Sequence, residues 1–164
     1  MSEMTKDLAN SIFKYVDGKL IWKVNVKRAK IGKLAGTKDK RYSYVKYNNT
    51  KYLTHRIIFL MHNGYLPIMV DHINGNTFDN RIENLREATP TQNAINRPVI
   101  NKNKVGSANV HWVNKSNKYR VRLSVDGKRK CFGYYDTIEL ASMVAEQARQ
   151  KYYGNFAYKG DLNG

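Results

Sequence analysis

The sequence predicts an α+β chain of two small modules, and three features carry that reading. Residues 66–97 run from an apolar stretch into a polar loop rich in His, Asp and Asn, then return through sparse apolar anchors to a short helix. Residues 107–158 form three segments rich in β-branched, aromatic and cationic residues, followed by one helical stripe of small apolar residues. Between them, PVINKNKVG (98–106) has proline at one end, glycine at the other and little periodicity, which marks a linker. A length of 164 residues suits one ordinary domain or two small ones. The expected division is 1–97 with a β-rich N-terminal extension, the linker, 107–158, and a tail of 159–164.

In chain order, DLANSIFKYV (7–16) places Leu8, Ile12, Phe13 and Val16 on one face and predicts a short helix. Asp17-Gly18 is a turn, and KLIWKVNV (19–26) a strand. KRAKIGKLAG (27–36) is a basic loop that either lies along a phosphate backbone or is an ordinary solvated surface. Tyr42 to Tyr47 and Lys51 to Thr54 form a hairpin around Asn48-Asn49-Thr50, with basic and aromatic residues that could face a polyanion. His55 to Asn63 is helical and ends at Gly64. His55 is expected to be half-buried and hydrogen-bonded, and His62 to sit on the helix surface or the edge of the core. Leu66 to Val70 reads as a short strand ending at Asp71-His72, and Asn74-Gly75-Asn76 as a turn. Ile82, Leu85 and Ala88 anchor the return. Thr89-Pro90 then starts a helix through Asn96, and Arg97-Pro98 ends it.

In the second module ANVHWVNK, KYRVRLSV and KRKCFGYY are three strands, with turns at Asn117 and Asp126-Gly127. The middle strand alternates Tyr119, Val121, Leu123 and Val125 with Arg120, Arg122 and Ser124, so one face is apolar and the other cationic. Asp136-Thr137 caps a helix whose Ile138, Ala141, Ala145, Ala148 and Tyr152 recur at three and four residues, and Gly154 ends it. The result is a three-stranded antiparallel sheet with one helix across its back. Arg120, Arg122, Arg129 and Lys130 are expected to project from the open face, with His111 nearby. Trp112 either lies near that face too or packs in the core under the sheet, and core packing is the expectation for so large a ring.

Charge narrows the partner. Lys and Arg number 29 against 13 Asp and Glu, a formal net charge of +16, which favours a polyanion. No apolar run approaches the roughly 20 residues of a membrane span, and the N-terminus lacks a signal-peptide core. Twelve Tyr sit among the Lys and Arg. They suit phosphate and base contacts, or are half-buried strand residues. One cysteine, Cys131, excludes an internal disulfide and a Cys-based zinc site, and is compatible with a reducing cytoplasm.

The loop after residue 70 carries the chemistry. Asp71 offers an anionic hard oxygen and Asn93 a neutral one, which suit Mg²⁺ or Mn²⁺ with water and phosphate completing the shell. His72 is the group there that can take a proton near neutral pH. Metal and base together are what phosphodiester hydrolysis needs. The alternative is a polar turn whose Asn and Asp residues only cap the backbone.

Asp71-His72, then Asn84 and Asn93, resembles the HNH nuclease motif in the variant of phage and intron-encoded homing endonucleases whose third position is Asn. The flanks agree: Thr54-His55-Arg56 before an apolar helix, then DHINGN, DNRIENLR and TQNAINR, over about residues 7–97. The resemblance implies a ββα-metal fold with His72 as general base and a single divalent ion, Mg²⁺ or Mn²⁺, between Asp71 and Asn93. It implies that Asn84 holds the loop and orients His72. Gln92 and Asn96 are neighbouring alternatives to Asn93. Arg56 would either support the fold or contact phosphate. The second module resembles the AP2 DNA-binding domain, on Val110-His111-Trp112, Lys118-Tyr119, Phe132 to Thr137, Ala141, Ala145, Ala148, Tyr152 and Gly154 to Ala157. That family implies major-groove contact from the sheet.

The expected protein is therefore a metal-dependent, site-directed endonuclease on double-stranded DNA, of the phage or mobile-element homing type. It would act in the host cytoplasm, as a monomer or a DNA-induced dimer. Its rival is a non-cleaving DNA-binding regulator, which would not require Asp71, His72, Asn84 and Asn93 together. An RNA-binding protein also fits the charge, but the chain has no RNP-like aromatic strand motif.

Overall fold

The computed structural model describes residues 4–27, 29–96 and 105–157, so most of the expected linker and the whole expected tail lie outside the described residues. The chain divides into two compact units, Met1–Asn93 and Ala94–Gly164.

The first unit opens with α1 (Lys6–Ile12), capped by the Thr5 side chain on the Leu8 amide. The helix stops at Ile12, short of the expected Val16. Phe13–Val16 is instead strand β1, paired antiparallel with β2 (Lys19–Trp22) across Asp17-Gly18. The hairpin turn wins because Asp17 and Gly18 both take positive φ, and pairing Phe13 with Trp22 buries both rings. Strand β2 ends at Trp22, and a two-residue β3 (Leu34–Ala35) returns from the basic loop to pair with it.

A second small sheet follows: β4 (Thr37–Lys38), β5 (Ser43–Tyr47) and β6 (Thr50–Leu53). Its hairpin turns at Asn48-Asn49, both at positive φ, as their short polar side chains allow. Then α2 (Thr54–Asn63) buries Ile57, Ile58, Phe59, Leu60 and Met61 and ends on left-handed Gly64. These side chains meet Ile12, Phe13, Leu20 and Val45 in one core. Truncating Ile57 or Ile58, each at most 2% exposed, to Ala would cost about 2–5 kcal/mol.

The last piece of this unit is β7 (Met69–His72), a nine-residue loop, a 3-10 turn (Ile82–Asn84), β8 (Leu85–Ala88) and α3 (Pro90–Ile95). The two strands pair antiparallel, with Asp71 opposite Arg86 and His72 opposite Leu85. Thr89 and Gln92 cap α3 reciprocally: the Thr89 Oγ1 accepts from the Gln92 amide at 3.2 Å, and Gln92 Oε1 from the Thr89 amide at 2.8 Å.

In the second unit β9 (Val110–Val113), β10 (Lys118–Val125) and β11 (Lys128–Tyr135) form an antiparallel sheet with β10 central. Helix α4 (Ile138–Tyr153), capped by Thr137, packs Ala141, Ala145 and Ala148 against Val110, Val121 and Leu123. Buried Arg149 donates to the Ala108 carbonyl and pairs with Glu146. A bulge between Val121 and Arg122 shifts the register, with Val121 opposite Gly133 and Arg122 opposite Cys131. Gly133 takes φ 122 there, and a Cβ would collide with the Tyr135 ring. Among the described residues no helix is long and apolar enough to cross a membrane.

Candidate active site

Strand β7 ends with Asp71 and His72, both buried, at 5% and 4% exposure. The cross-strand neighbour of Asp71 is Arg86. Its Nε donates to Asp71 Oδ2 at 2.9 Å, and its Nη2 lies 2.8 Å from the same oxygen. A buried carboxylate needs such a partner, and the pairing register supplies one.

The His72 ring is held on several sides. Its Nε2 lies 2.9 Å from Asn80 Oδ1, and the Asn80 Nδ2 donates to Ser43 Oγ at 2.9 Å. The His55 ring meets it edge-on with centroids 5.0 Å apart, and the Tyr42 ring stacks at 6.4 Å. Burial pushes the His72 proton affinity down. The Asn80 bond and the charges of Asp71 and Asp79 oppose that without reversing it.

Asn84 is the keystone of the loop. Its Oδ1 accepts from the Asn74 amide at 3.0 Å, and its Nδ2 donates to Asn74 Oδ1 at 3.0 Å and to the Asp79 carbonyl at 2.7 Å. Its backbone carbonyl accepts from Ile73. The side-chain amide on the His72 ring, however, is that of Asn80. Sequence reasoning missed Asn80; the available signal was DNR inside the motif-bearing loop. Asp79, gripped by Arg81 through two bonds of 2.8 Å, has its carboxyl lowered to about 2. Gly18, at φ 74, presses on this loop: a Cβ there would lie 2.8 Å from the Arg81 nitrogen.

Asn93 stands half-buried on α3. Gln92, one alternative to it, has its amide oxygen committed to the helix cap, and Asn96, the other, is 3% exposed. Among the described residues no group of three His, Cys, Asp or Glu gathers where a metal could sit. One carboxylate and one amide oxygen fit an ion of the Mg²⁺ class, which keeps water and phosphate ligands, and do not fit a closed zinc site.

On α2 one expectation narrows and one changes. Arg56 turns to the chain itself, with Nη1 on the Ile68 carbonyl at 3.2 Å and Nη2 on the Pro67 carbonyl at 3.1 Å, so it fastens the approach to β7. His55 is 4% exposed, with no hydrogen-bond partner at Nδ1 among the described residues, and burial lowers its proton affinity to about 3. It is a buried, packed ring and not a half-buried one. His62 is exposed, with Nδ1 on the Ile58 carbonyl and the Tyr15 ring edge-on at 4.6 Å.

On the second unit, cross-strand pairing puts His111, Arg120 and Tyr134 in one row and Arg122 beside Cys131 in the next. Ser124 pairs with Arg129 on the same face. The proton affinity of His111 is lowered first by burial and then by Arg122, Arg120 and Arg129. Among the described residues the ion pairs of this unit are Lys118–Asp136 and Arg149–Glu146, neither of which involves those arginines. Lys130 departs from the expected set. It pairs with Leu123 on the helix side, and its Nζ bonds Tyr152 at 2.9 Å on α4, because plain alternation along β11 puts it on the face opposite its neighbour Arg129. Trp112 departs too: it is 43% exposed, edge-on to Tyr119 at 4.7 Å, beyond the cover of the short alanine side chains.

The comparisons agree with the first unit. Residues 52–95 match the family model for HNH endonuclease, so the chain carries an HNH endonuclease domain there. Protein 3.8 of Escherichia phage T7 is 29% identical over 97 residues, covering 58% of this chain and 79% of that one. An uncharacterised HNH endonuclease of Acanthamoeba polyphaga mimivirus is 32% identical over 116 residues, covering 69% of this chain and 59% of that one. No solved structure matches significantly.

Proposed function

We propose that the chain is a metal-dependent, site-directed DNA endonuclease of the phage or mobile-element homing type, in which the first unit cuts and the second reads the duplex. The observation that carries the reading is the buried His72 ring, held by Asn80 at the end of β7 beside a carboxylate, inside an HNH match. Both relatives named above are viral, which supports a mobile setting in a host cytoplasm.

His72 takes the proton of the attacking water. The water oxygen bonds to phosphorus as the bond to the 3′-oxygen breaks. Asp71 and Asn93 would hold a Mg²⁺ or Mn²⁺, which when bound would supply neutralisation of the charge that develops on the phosphate. Asn84 keeps the loop closed. Arg56 supports β7 from behind. In the second unit, whose AP2-like reading rests on the strand and helix pattern, Arg120, Arg122, Arg129 and His111 form the DNA-facing surface. Phosphate contacts there supply affinity, and base-edge contacts supply address.

Plasmid nicking with and without Mg²⁺ tests the reading. His72→Ala should lower the cutting rate by about 10²–10⁴-fold with DNA affinity kept. Activity within a few-fold of the unmodified chain rules out the base assignment. DNA binding with no divalent-dependent nicking at all would instead favour the non-cleaving regulator.

A further inference from the structure

Asn80 is not part of the Asp71, His72, Asn84, Asn93 set, yet its amide lies on the His72 ring. The residue is 4% exposed and its environment is built around it. Ser43, on β5, accepts from Asn80 Nδ2, which leaves Oδ1 facing His72 Nε2 at 2.9 Å. The backbone on its C-terminal side is backed by the glycine of the β1–β2 turn, where no Cβ would fit, and the Ile82 amide donates to the Tyr15 hydroxyl at 3.1 Å. Two segments far apart in sequence therefore hold Asn80, one at its side-chain amide and one at the backbone that follows.

An amide oxygen only accepts hydrogen bonds. The ring nitrogen opposite it must therefore carry the hydrogen, and a neutral imidazole with hydrogen on Nε2 has its lone pair on Nδ1. We propose that Asn80, locked by Ser43, is a positioning residue that selects the Nε2–H tautomer of His72 and so makes Nδ1 the nitrogen that accepts the proton of water. This rests on the nuclease reading for its consequence, but not for the tautomer itself. Fixing the tautomer of a reacting imidazole through its second nitrogen is a general device, and loss of such a partner typically lowers activity 10–100-fold. The N-terminal hairpins then act on the chemistry at one remove, since they set the loop and the loop sets the ring.

The experiment records proton–nitrogen correlations of the His72 ring in the full chain, at a pH where the ring is neutral, alongside nicking kinetics. The unmodified chain and Asn80→Asp, which keeps an acceptor, should show the Nε2–H tautomer. Asn80→Ala should show mixed tautomers and a kcat lower by about 10–100-fold, with little change in KM for DNA. Ser43→Ala keeps the acceptor but frees the amide to turn, and should fall between. A dominant Nδ1–H tautomer in the unmodified chain overturns the proposal. So does a folded Asn80→Ala chain with an unchanged tautomer and rate. Should Asn80→Ala fail to fold, the unmodified and Ser43→Ala spectra decide on their own. A chain with the Nε2–H tautomer that never nicks DNA refutes the nuclease reading and leaves the tautomer assignment standing.

Discussion

Replacing Arg86 with Met would isolate the charge at the heart of the site. The change removes the guanidinium and keeps most of the stem. It leaves the Asp71 side chain, 6% exposed, as a carboxylate without its cross-strand cation. Breaking a buried pair from one side costs roughly 3–5 kcal/mol. Because the Arg86 side chain is itself 15% exposed, the low end, about 3 kcal/mol, applies. In a unit spanning Met1–Asn93, that loss corresponds to a fall of about 12–24 °C in its melting midpoint. Emission from Trp22 reports this unit directly, since that ring is 5% exposed while Trp112 in the other unit is already 43% exposed. Asp71→Asn combined with Arg86→Met removes both charges and should recover most of the loss. Mg²⁺ should raise the midpoint of the single variant more than that of the unmodified chain, because an ion supplies the missing positive charge. A single variant within about 0.5 kcal/mol of the unmodified chain would refute the reasoning, as would a double variant no better than the single.

Three further outcomes concern the second unit. Arg122→Ala should weaken DNA binding and reduce the slope of log affinity against log salt by about one, measured by titration across salt concentrations. Cys131, which pairs with Arg122 on the same face and is exposed, should react more slowly with a thiol reagent once DNA is bound; an unchanged rate would mean that DNA does not cover that face. His111 has its proton affinity held down by burial and by Arg122, Arg120 and Arg129. Phosphates on those arginines remove part of that depression, so the bound state takes up a proton. Affinity should then rise as pH falls through the His111 range, and His111→Gln should flatten the dependence.

How much of this could be read from the residues depends on which information a short segment holds. Turns were legible because Asp17-Gly18, Asn48-Asn49 and Asp126-Gly127 advertise positive φ, and each sits at a hairpin. Helix α2 was legible from its apolar run and terminal Gly64. Residues Phe13 to Val16 were not, because their apolar spacing satisfies a helix as well as a hairpin strand, and the tie is broken by pairing with Lys19 to Trp22. Asn80 was not, because nothing local to it mentions Ser43, 37 residues earlier. Arg86 was not, because its meeting with Asp71 follows from the register of β7 on β8, which depends on the whole length of the loop between them. Lys130 was misread for a smaller reason: it directly follows Arg129 on β11, and strand alternation cannot put both side chains on the open face.

These misreadings share a consequence for the electrostatics of the chain. A formal charge of +16 says only that cations exceed carboxylates. The structure adds where the carboxylates are engaged: Asp71 with Arg86, Asp79 with Arg81, Asp39 with Lys51, and Glu87 with the Tyr65 hydroxyl. Each cation so engaged is tied to the fold, and each engaged carboxylate presents less negative charge to an approaching phosphate. On the nuclease reading, phosphate repulsion near His72 would thereby be reduced. On the second unit the arithmetic runs the other way, since Arg120, Arg122 and Arg129 lie around His111 outside any ion pair among the described residues. A cluster of like charges left standing on one sheet face costs stability through self-repulsion. A polyanion that binds there relieves it, and the relief is part of the binding energy.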